Sequence, residues 1–446
     1  MSNPNHGPSR RFAICLIALC VLALVVRSAY VLLVSRHHPL NTDALVYRAL
    51  GLELARGDGY LEPFTLAFRH LRVPTAGFPP GYPGFLAAID FLGGRALVWQ
   101  LLAGGCVGTA TVALTGLVGR RVGGDKVGLV AAALAVGYPM LFVADGTPMS
   151  ESLFVLQVST VLFLLYVTYE RPTMRRWLAI GVVAGVAVLT RGEGVLLLPC
   201  LVLPSAIAAN RRQLGRAVWA FVAVILVVAA MLTPWELRNR RAFGKTVLIS
   251  NNSGTSVGGA NCETTYHGVR LGSWDVVCER LVAPPKNEVS ISEAQRRHGV
   301  DYLRHHLGRL PVVVTVRLAR TFGFYDPLRE VRWEAAYESR PHGWQVAGWI
   351  VYVVMLSLAI PGAVIAMRRR LRVGPLVGCI VMVVITTSAT YGNQRFRIIA
   401  EPTLLVLAAV ALVAVVDSDL AGHVRRRRVP LAPEASQVSA TGPPLQ

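Results

Sequence analysis

The chain has 446 residues, of which 53% are hydrophobic and 16% charged, and a formal net charge of +20. Its apolar residues come in long runs and not in 3.6-residue stripes, which excludes an ordinary soluble domain. The excess arginines lie at the ends of those runs, where they set membrane orientation, so the charge does not argue for a nucleic-acid partner.

Arg10 and Arg11 precede an apolar run over residues 12–34, long enough to cross a roughly 30 Å hydrocarbon core as a helix. No small-x-small cleavage site follows promptly and further spans come later, so this run is expected to be a retained first helix with a cytoplasmic N-terminus. Segment 35–95 then lies outside as an amphipathic first loop. Further spans are expected at 96–118, 127–143, 150–169, 177–190, 194–209, 217–233, 344–367, 374–391 and 398–416. Alternating them puts Arg120/Arg121/Lys126, Arg171/Arg175/Arg176, Arg211/Arg212/Arg216, Arg368/Arg369/Arg370/Arg372 and Arg425 to Arg428 all on the cytoplasmic side. The short pair around Arg191 leaves open a re-entrant hairpin or two tilted half-length helices.

The expected fold is therefore an all-α polytopic membrane protein with about ten transmembrane helices. It divides into an N-terminal bundle (1–233) carrying the loop 35–95, a small external α-rich subdomain (234–343), C-terminal helices (344–416) and a tail (417–446). The tail's Pro, Ser and Ala richness predicts a disordered cytoplasmic segment. Both termini are placed inside, in the plasma membrane. In the external subdomain, Ser290 with Glu293 suggests a capping box for a helix running to Leu310. The apolar stretch 311–324 carries Arg317 and Arg320. It reads either as an interfacial helix whose basic face meets head groups or as a helix packed on the bundle with two solvated arginines.

Five of the seven cysteines lie in apolar spans as small core residues. Cys262 and Cys278 fall in the external subdomain and are the candidates for one disulfide in an oxidising compartment. His267, His298, His305 and His306 read as solvated groups in preference to a metal site.

The polar groups placed outside are Asp43, Glu151, Arg191, Glu193, Arg395 and Arg397. A coupled transporter is expected to keep such groups near the midplane, often in two related halves, and neither feature is visible. Asp43 follows the first span directly. Spacing alone leaves it open between a helix N-cap or surface carboxylate and a catalytic group. Glu151 is likewise open between a first-turn residue on the helix dipole and a role in acceptor orientation. Pro79, Pro80, Gly81 and Tyr82 read as the rigid turn that shapes the end of the loop.

An Asp shortly after the first helix, the stretch Ala49-Leu50-Gly51-Leu52-Glu53-Leu54-Ala55-Arg56-Gly57-Asp58-Gly59-Tyr60, and then Phe78-Pro79-Pro80-Gly81-Tyr82-Pro83 resemble the GT-C superfamily of membrane glycosyltransferases. The similarity is to the protein O-mannosyltransferase and aminoarabinose transferase-like group, in particular to members from high-GC Gram-positive bacteria. Met149-Ser150-Glu151-Ser152, Leu189-Thr190-Arg191-Gly192-Glu193 and Arg395-Phe396-Arg397 before Glu401-Pro402 resemble its later motifs.

The resemblance implies inverting transfer of a sugar from a polyprenyl-phosphate donor to a glycan, glycolipid or protein acceptor at the outer face. Asp43 is then the general base and Glu151 the second catalytic carboxylate. Arg191, Arg395 and Arg397 supply forks for the donor phosphate. Asp43 is followed by Ala44 and not by a second acid, which departs from metal-using relatives, so no obligatory metal or other cofactor is expected and a divalent metal is not predicted. A lipid-linked-sugar flippase or an O-antigen polymerase or ligase is the alternative reading. The first-loop Asp argues against the latter, which leans on Arg and His.

Overall fold

The computed structural model describes residues 9–280 and 287–427, with side chains to residue 418. Among the described residues the elements are helices and turns, joined by one isolated antiparallel bridge between Leu61 and Pro74. Helix α1 (Arg10–Leu33) is capped by Ser9, whose hydroxyl accepts from the Phe12 N–H at 3.1 Å. The first loop folds into α2 (Thr42–Arg56), α3 (Pro63–Arg69) and α4 (Gly81–Phe91), with α2 packed on α4. Phe68, Phe91 and Leu92 on this loop are exposed, consistent with its expected amphipathic character.

The bundle continues with α5 (Leu97–Gly123), α6 (Asp125–Val136), α7 (Pro139–Asp145), α8 (Glu151–Glu170) and α9 (Met174–Thr190). Between α6 and α7 the axis bends by 58°. Pro139 at the start of α7 has no N–H to continue the ladder, and Tyr138 before it is extended, with ψ 107°. A 3₁₀ turn at Gly192–Leu196 and a π turn at Leu198–Val202 lead into α10 (Leu203–Ala209), followed by α11 (Leu214–Phe243).

The polar subdomain holds α12 (Ser253–Gly259), α13 (Glu263–Tyr266), α14 (Val276–Arg280), α15 (Glu288–His305), α16 (Leu310–Thr321) and α17 (Pro327–Tyr337). The chain returns to the bundle through α18 (His342–Arg368), α19 (Gly374–Ala389), a 3₁₀ turn at Gln394–Ala400 and α20 (Glu401–Arg427). Helix α20 runs through the middle of the bundle, with every side chain from Leu404 to Ala411 buried against α5, α6 and α18.

The protein is thus a multi-pass all-helical membrane protein. Helices stand at all ten expected segments, but among the described residues seven are long and apolar enough to cross a membrane, or eight if the bent α6–α7 pair is one span. Helices α9 and α19 have 17 and 16 residues. At 1.5 Å per residue they reach about 25 Å, short of a full hydrocarbon core. Helix α20 extends past the boundary expected at 416, so residues 417–427 of the expected tail are helical, and the rest of that expectation falls outside the described residues.

Two expectations for the polar subdomain are corrected. The cap of α15 is Asn287, whose side chain accepts from the Ser290 N–H at 2.8 Å, so Ser290 is already inside the helix and no Ser290–Glu293 box forms. In α16, Arg317 and Arg320 face inward. Arg317 donates to the Ala260 and Ser388 carbonyls and the Asn261 side chain at 2.7, 3.1 and 3.0 Å. Arg320 binds the Leu271 and Val269 carbonyls and the Glu330 carboxylate. They satisfy buried loop carbonyls and face neither solvent nor head groups. The loop they hold also contains the bonded pair Cys262–Cys278, with Cα atoms 5.7 Å apart.

An ion pair joins α1 to α7 inside the apolar bundle, where the sequence pattern suggested almost none. Arg27 of α1 donates to Asp145 of α7 at 2.8 Å, and both are buried. Ser152 also donates to Asp145 at 2.5 Å, and Arg27 reaches the Ala135 and Val136 carbonyls that the bend leaves free. Gly104 and Gly108 on α5 leave the space that Asp145 fills; a side chain at either would collide with it.

Candidate active site

Where α17 ends and α2 begins, two non-glycine residues adopt left-handed backbone: Thr42 at φ 40° and Ser339 at φ 55°. Such conformations cost on the order of 1–3 kcal/mol each and persist only when neighbours enforce them. Here they clip together. The Ser339 hydroxyl accepts from the Asn41 N–H at 2.6 Å, Asn41 donates to the Ala336 carbonyl at 3.2 Å, and the Thr42 hydroxyl donates to the Tyr337 carbonyl. The clip brings Asp43 in the first turn of α2 and Glu338 at the end of α17 to the same guanidinium.

That guanidinium belongs to Arg395, fixed in the 3₁₀ turn because the Asn393 side chain accepts from its N–H at 2.9 Å. Its Nη1 donates to both Glu338 oxygens at 2.8 and 2.9 Å and to Asp43 at 3.4 Å, and lies 3.9 Å from Glu151. Its Nη2 reaches the Tyr391 hydroxyl at 3.4 Å. Asp43 keeps 35% side-chain exposure against 13% for Arg395 and 7% for Glu338, so it is the most accessible member of the group.

Asp43 and Arg395 both line a cavity of about 410 Å³ between the bundle and the polar subdomain. Its other walls include Phe78, Trp274, Trp333 and Tyr391, with Glu330, Glu334 and Glu338 along one face of α17. Burial pushes the Glu334 carboxyl up to about 7 against the pull of Arg340, and raises Glu338 against that of Arg395.

The remaining expected site residues sit behind this front. Glu151, 1% exposed, is gripped by Arg191 at 2.7 Å and does not line the cavity. Its placement is that of a group backing Arg395, not one facing a reactant. Arg191 is divided between Glu151, Glu193 at 2.5 Å and the Ser150 hydroxyl at 3.0 Å, with 10% exposure. Two carboxylates already neutralise it, so the expected phosphate contact is not set up there.

Arg397 stands apart from the cavity. It is fully buried, donates to Glu401 at 2.7 Å and to the Thr321 carbonyl at 3.1 Å, and lies over the Tyr352 ring at 3.3 Å. It braces the bundle and does not reach the cavity. Pro79, Pro80, Gly81 and Tyr82 do shape the loop. Pro80 caps α4, Tyr82 packs edge-on to Tyr47 at 5.1 Å, and a Cβ on Gly81 would meet the Leu189 carbonyl at 2.7 Å. Only glycine lets α4 approach the end of α9 this closely.

The sequence reading missed Glu338, the anchor of Arg395, and with it Glu330 and Glu334. Their spacing of four residues after Pro327, the first residue of α17, was the available signal.

Residues 79–236 match the family described as dolichyl-phosphate-mannose-protein mannosyltransferase. The match covers the turn 79–82, Glu151 and Arg191 but neither Asp43 nor Arg395. A curated relative, undecaprenyl phosphate-alpha-4-amino-4-deoxy-L-arabinose arabinosyl transferase 1 of Pseudomonas fluorescens, is 27% identical over 231 residues, covering 49% of this chain and 40% of the relative. Among solved structures, the Archaeoglobus fulgidus oligosaccharyltransferase tethered with an acceptor peptide aligns with TM-score 0.54 at 14% identity, over 90% of this chain and 50% of its own. The same enzyme with an inhibitory peptide and a dolichol-phosphate aligns with TM-score 0.51 at 14% identity, over 95% of this chain and 53% of its own. The chain thus matches 40% of the curated relative's length and about half of the solved chains'. From both sides these comparisons bear out the resemblance to the GT-C superfamily: a fold shared with the archaeal oligosaccharyltransferase, and over residues 79–236 a sequence pattern shared with the protein mannosyltransferases.

Proposed function

We propose that the protein is an integral-membrane glycosyltransferase that moves a sugar from a polyprenyl-phosphate donor to an acceptor at the outer face of the plasma membrane, with both termini cytoplasmic. The observation that carries this reading is the meeting of Asp43 and Arg395, 352 residues apart in sequence, on one cavity wall. A base and a phosphate-binding fork are the two groups such a transfer needs from the protein. The relatives' printed names, which include an undecaprenyl-phosphate sugar transferase and an oligosaccharyltransferase solved with dolichol-phosphate, support the same substrate class. The sidedness rests on the basic connections 120–126, 171–176, 211–216 and 368–372, which the alternation of spans puts on the face opposite Asp43.

In this mechanism Asp43 takes the proton from an acceptor hydroxyl as its oxygen attacks the anomeric carbon. The bond from that carbon to the phosphate oxygen breaks with inversion, and its electron pair stays on the lipid phosphate. Arg395 meets the developing charge. Its 3.4 Å contact with Asp43 is at the long limit of a hydrogen bond, whereas the two to Glu338 are short. An incoming phosphate would therefore displace Asp43 from Arg395 and free it to act as base, while Glu338 keeps the fork in place. Glu151, itself held by Arg191, lies 3.9 Å from Arg395 on the side away from the cavity.

The test is transfer of a radiolabelled sugar from polyprenyl phosphate by the purified protein in detergent, where no gradient exists to drive a transporter. Transfer, or slow donor hydrolysis without an acceptor, is the expected result. An intact donor with every acceptor class, together with donor translocation in vesicles, would move the protein to the flippase class.

A further inference from the structure

The walls of the cavity differ in chemistry. One carries Asp43 and Arg395 with the glutamate ladder of α17 (Glu330, Glu334 and Glu338), whose outer rungs pair with Arg320 and Arg395. The other comes from α12 with its cap Asn252, from α14 and from the loop closed by Cys262–Cys278, and presents Asn252, Ser256, Trp274 and Glu279. The charges Arg270 and Asp275 on this second wall stand 3.5 Å apart and offset each other. Asp275 is also engaged by the Thr264 hydroxyl at 2.9 Å and the Val277 N–H at 3.2 Å. This wall is therefore polar without offering a free cation or a free anion pair.

Most aromatic rings of the cavity are already covered. Phe78 packs on Tyr47 with centroids 4.7 Å apart, Tyr391 on Phe396 at 5.0 Å, and Trp333 has Arg270 and Arg320 over its ring at 4.8 and 5.6 Å. Tyr337 is uncovered, but its carbonyl is tied to Thr42, which puts it beside Asp43. Trp274 has neither a ring nor a guanidinium stacked on it among the described residues, yet it is held in place. Its indole N–H donates to the Thr255 carbonyl at 3.1 Å, and the N–H of Asp275 donates to the Gly259 carbonyl at 2.9 Å. A Cβ on Gly259 would stand 2.0 Å from the indole nitrogen, so the ring position depends on that glycine. A half-buried indole fixed in this way offers contact area at little entropic cost to a ligand.

Around this plate stand groups with unused hydrogen-bonding capacity. The side chains of Asn252 and Ser256 make no hydrogen bond among the described residues, and Glu279, half-buried on the cavity wall, has an unpartnered Oε1. Together they supply an amide, a hydroxyl and a carboxyl beside an electron-rich ring face. That combination fits a ligand with an apolar C–H face and hydroxyls along its edge. We propose that the wall at Trp274 is a saccharide subsite for the acceptor: an uncharged sugar ring lies on the free indole face, and Asn252, Ser256 and Glu279 hydrogen-bond its hydroxyls. This names the acceptor class and rests on the glycosyltransferase reading given above. The donor's sugar is bonded to the phosphate that Arg395 meets and so stays with the charged wall; the ring on Trp274 belongs to the acceptor.

Saturation-transfer NMR on the full-length protein in a sugar-free detergent tests this without turnover. The probes are the methyl glycosides of glucose, galactose, mannose and arabinose, with N-acetyl-threonine methylamide standing for a protein acceptor. At least one glycoside should take up saturation, strongest on the C–H protons of one ring face, and the peptide none. Trp274→Ala should weaken that glycoside about three- to tenfold, the usual worth of an aromatic contact. Trp274→Phe keeps a plate while losing the bond to Thr255, and should keep most of the affinity. Absence of saturation in every glycoside with the wild type overturns the proposal without needing any variant to fold. So does an unchanged affinity in Trp274→Ala, or an equal loss in the Ala and Phe variants, which would make Trp274 a brace for the loop. Saturation of the peptide that disappears in Trp274→Ala overturns it in favour of a protein acceptor. Finally, saturating polyprenyl-phosphate mannose should leave the glycoside signal in place; its loss would assign the ring on Trp274 to the donor and end the acceptor assignment. Because no transfer is measured, these results are independent of whether the protein proves to be a transferase.

Discussion

Glu338 holds Arg395 with both carboxylate oxygens at 2.8 and 2.9 Å, whereas Asp43 touches the same nitrogen at 3.4 Å. The fork is thus anchored by a residue 57 positions upstream and only grazed by the candidate base. Replacing Glu338 by Gln keeps its size but removes the charged half of the anchor. The expected outcome is a rise in donor KM, with kcat/KM falling about tenfold and the protein level unchanged. Arg395→Lys should do at least as much, since an ammonium cannot span Glu338 and a phosphate with a planar fork. Steady-state kinetics with varied donor check both; an unchanged KM in each variant would mean the cluster only braces the two helices.

Stability should also depend on pH, with a sign fixed by two acids. Glu334 and Glu279 are each raised to about 7, in both cases chiefly by burial, from the ordinary 4.5 of a glutamate. Their neutral forms favour the folded state, so this contribution is complete below about 4.5 and is lost as pH rises through about 7. The ligand-free protein should therefore melt at lower temperature at pH 8 than at pH 6, and Glu334→Gln should flatten that slope. Thermal unfolding in detergent, followed by intrinsic tryptophan fluorescence, measures it.

The pair Arg27–Asp145 makes a third case. Both groups are buried, and Asp145 is further held by Ser152. Asp145→Leu would leave Arg27 as a buried charge without its partner, at a cost on the order of 3–5 kcal/mol. The double change Arg27→Met with Asp145→Leu removes both charges and should recover much of that loss. A double-mutant cycle on unfolding in detergent decides the point; additive losses would mean the two residues are not coupled.

Reduction of Cys262–Cys278 bears on the cavity and not only on the subdomain. The bonded loop contributes Arg270, Ser273, Trp274 and Asp275 to the wall. Cys262→Ser with Cys278→Ser should destabilise the subdomain by about 2–4 kcal/mol and raise susceptibility to proteolysis between residues 262 and 280. Limited proteolysis with and without reductant reads this directly, and identical cleavage patterns would leave the bond without mechanical importance.

What the sequence made legible was whatever a local pattern encodes. Long apolar runs marked every bundle helix, and the proline turn 79–82 marked the start of α4. Residues whose roles depend on distant partners were not legible. Arg317 and Arg320 read as a basic face because their acceptors, the carbonyls of Ala260, Val269 and Leu271, lie some fifty residues upstream. Arg395 and Arg397 look equivalent in sequence, but the 3₁₀ turn sends one to the cavity and the other into the bundle. The i,i+4 spacing of Arg397 and Glu401 was a local hint of that pairing.

The sharpest prediction concerns Asp43. It stands in the first turn of α2 on a clip made by Thr42 and Ser339, and of the carboxylates on Arg395 it alone combines exposure with a long, replaceable contact. Glu338 is held too tightly to move, and Glu151 is sealed behind it. A base must reach an acceptor hydroxyl from the cavity, which Asp43 lines, and the proposed mechanism gives it that part. Asp43→Asn keeps its size and its hydrogen bonding to Arg395 but cannot take a proton. Transfer should fall by about 10² to 10⁴-fold, the usual worth of a positioned general base, while expression and donor affinity survive. The measurement is transfer from a radiolabelled polyprenyl-phosphate sugar by wild type and variant at matched protein levels, with donor binding followed in parallel. If the variant kept activity within about threefold, far short of that loss, Asp43 would be a structural counter-ion of Arg395 and the base would have to be sought on the α17 ladder.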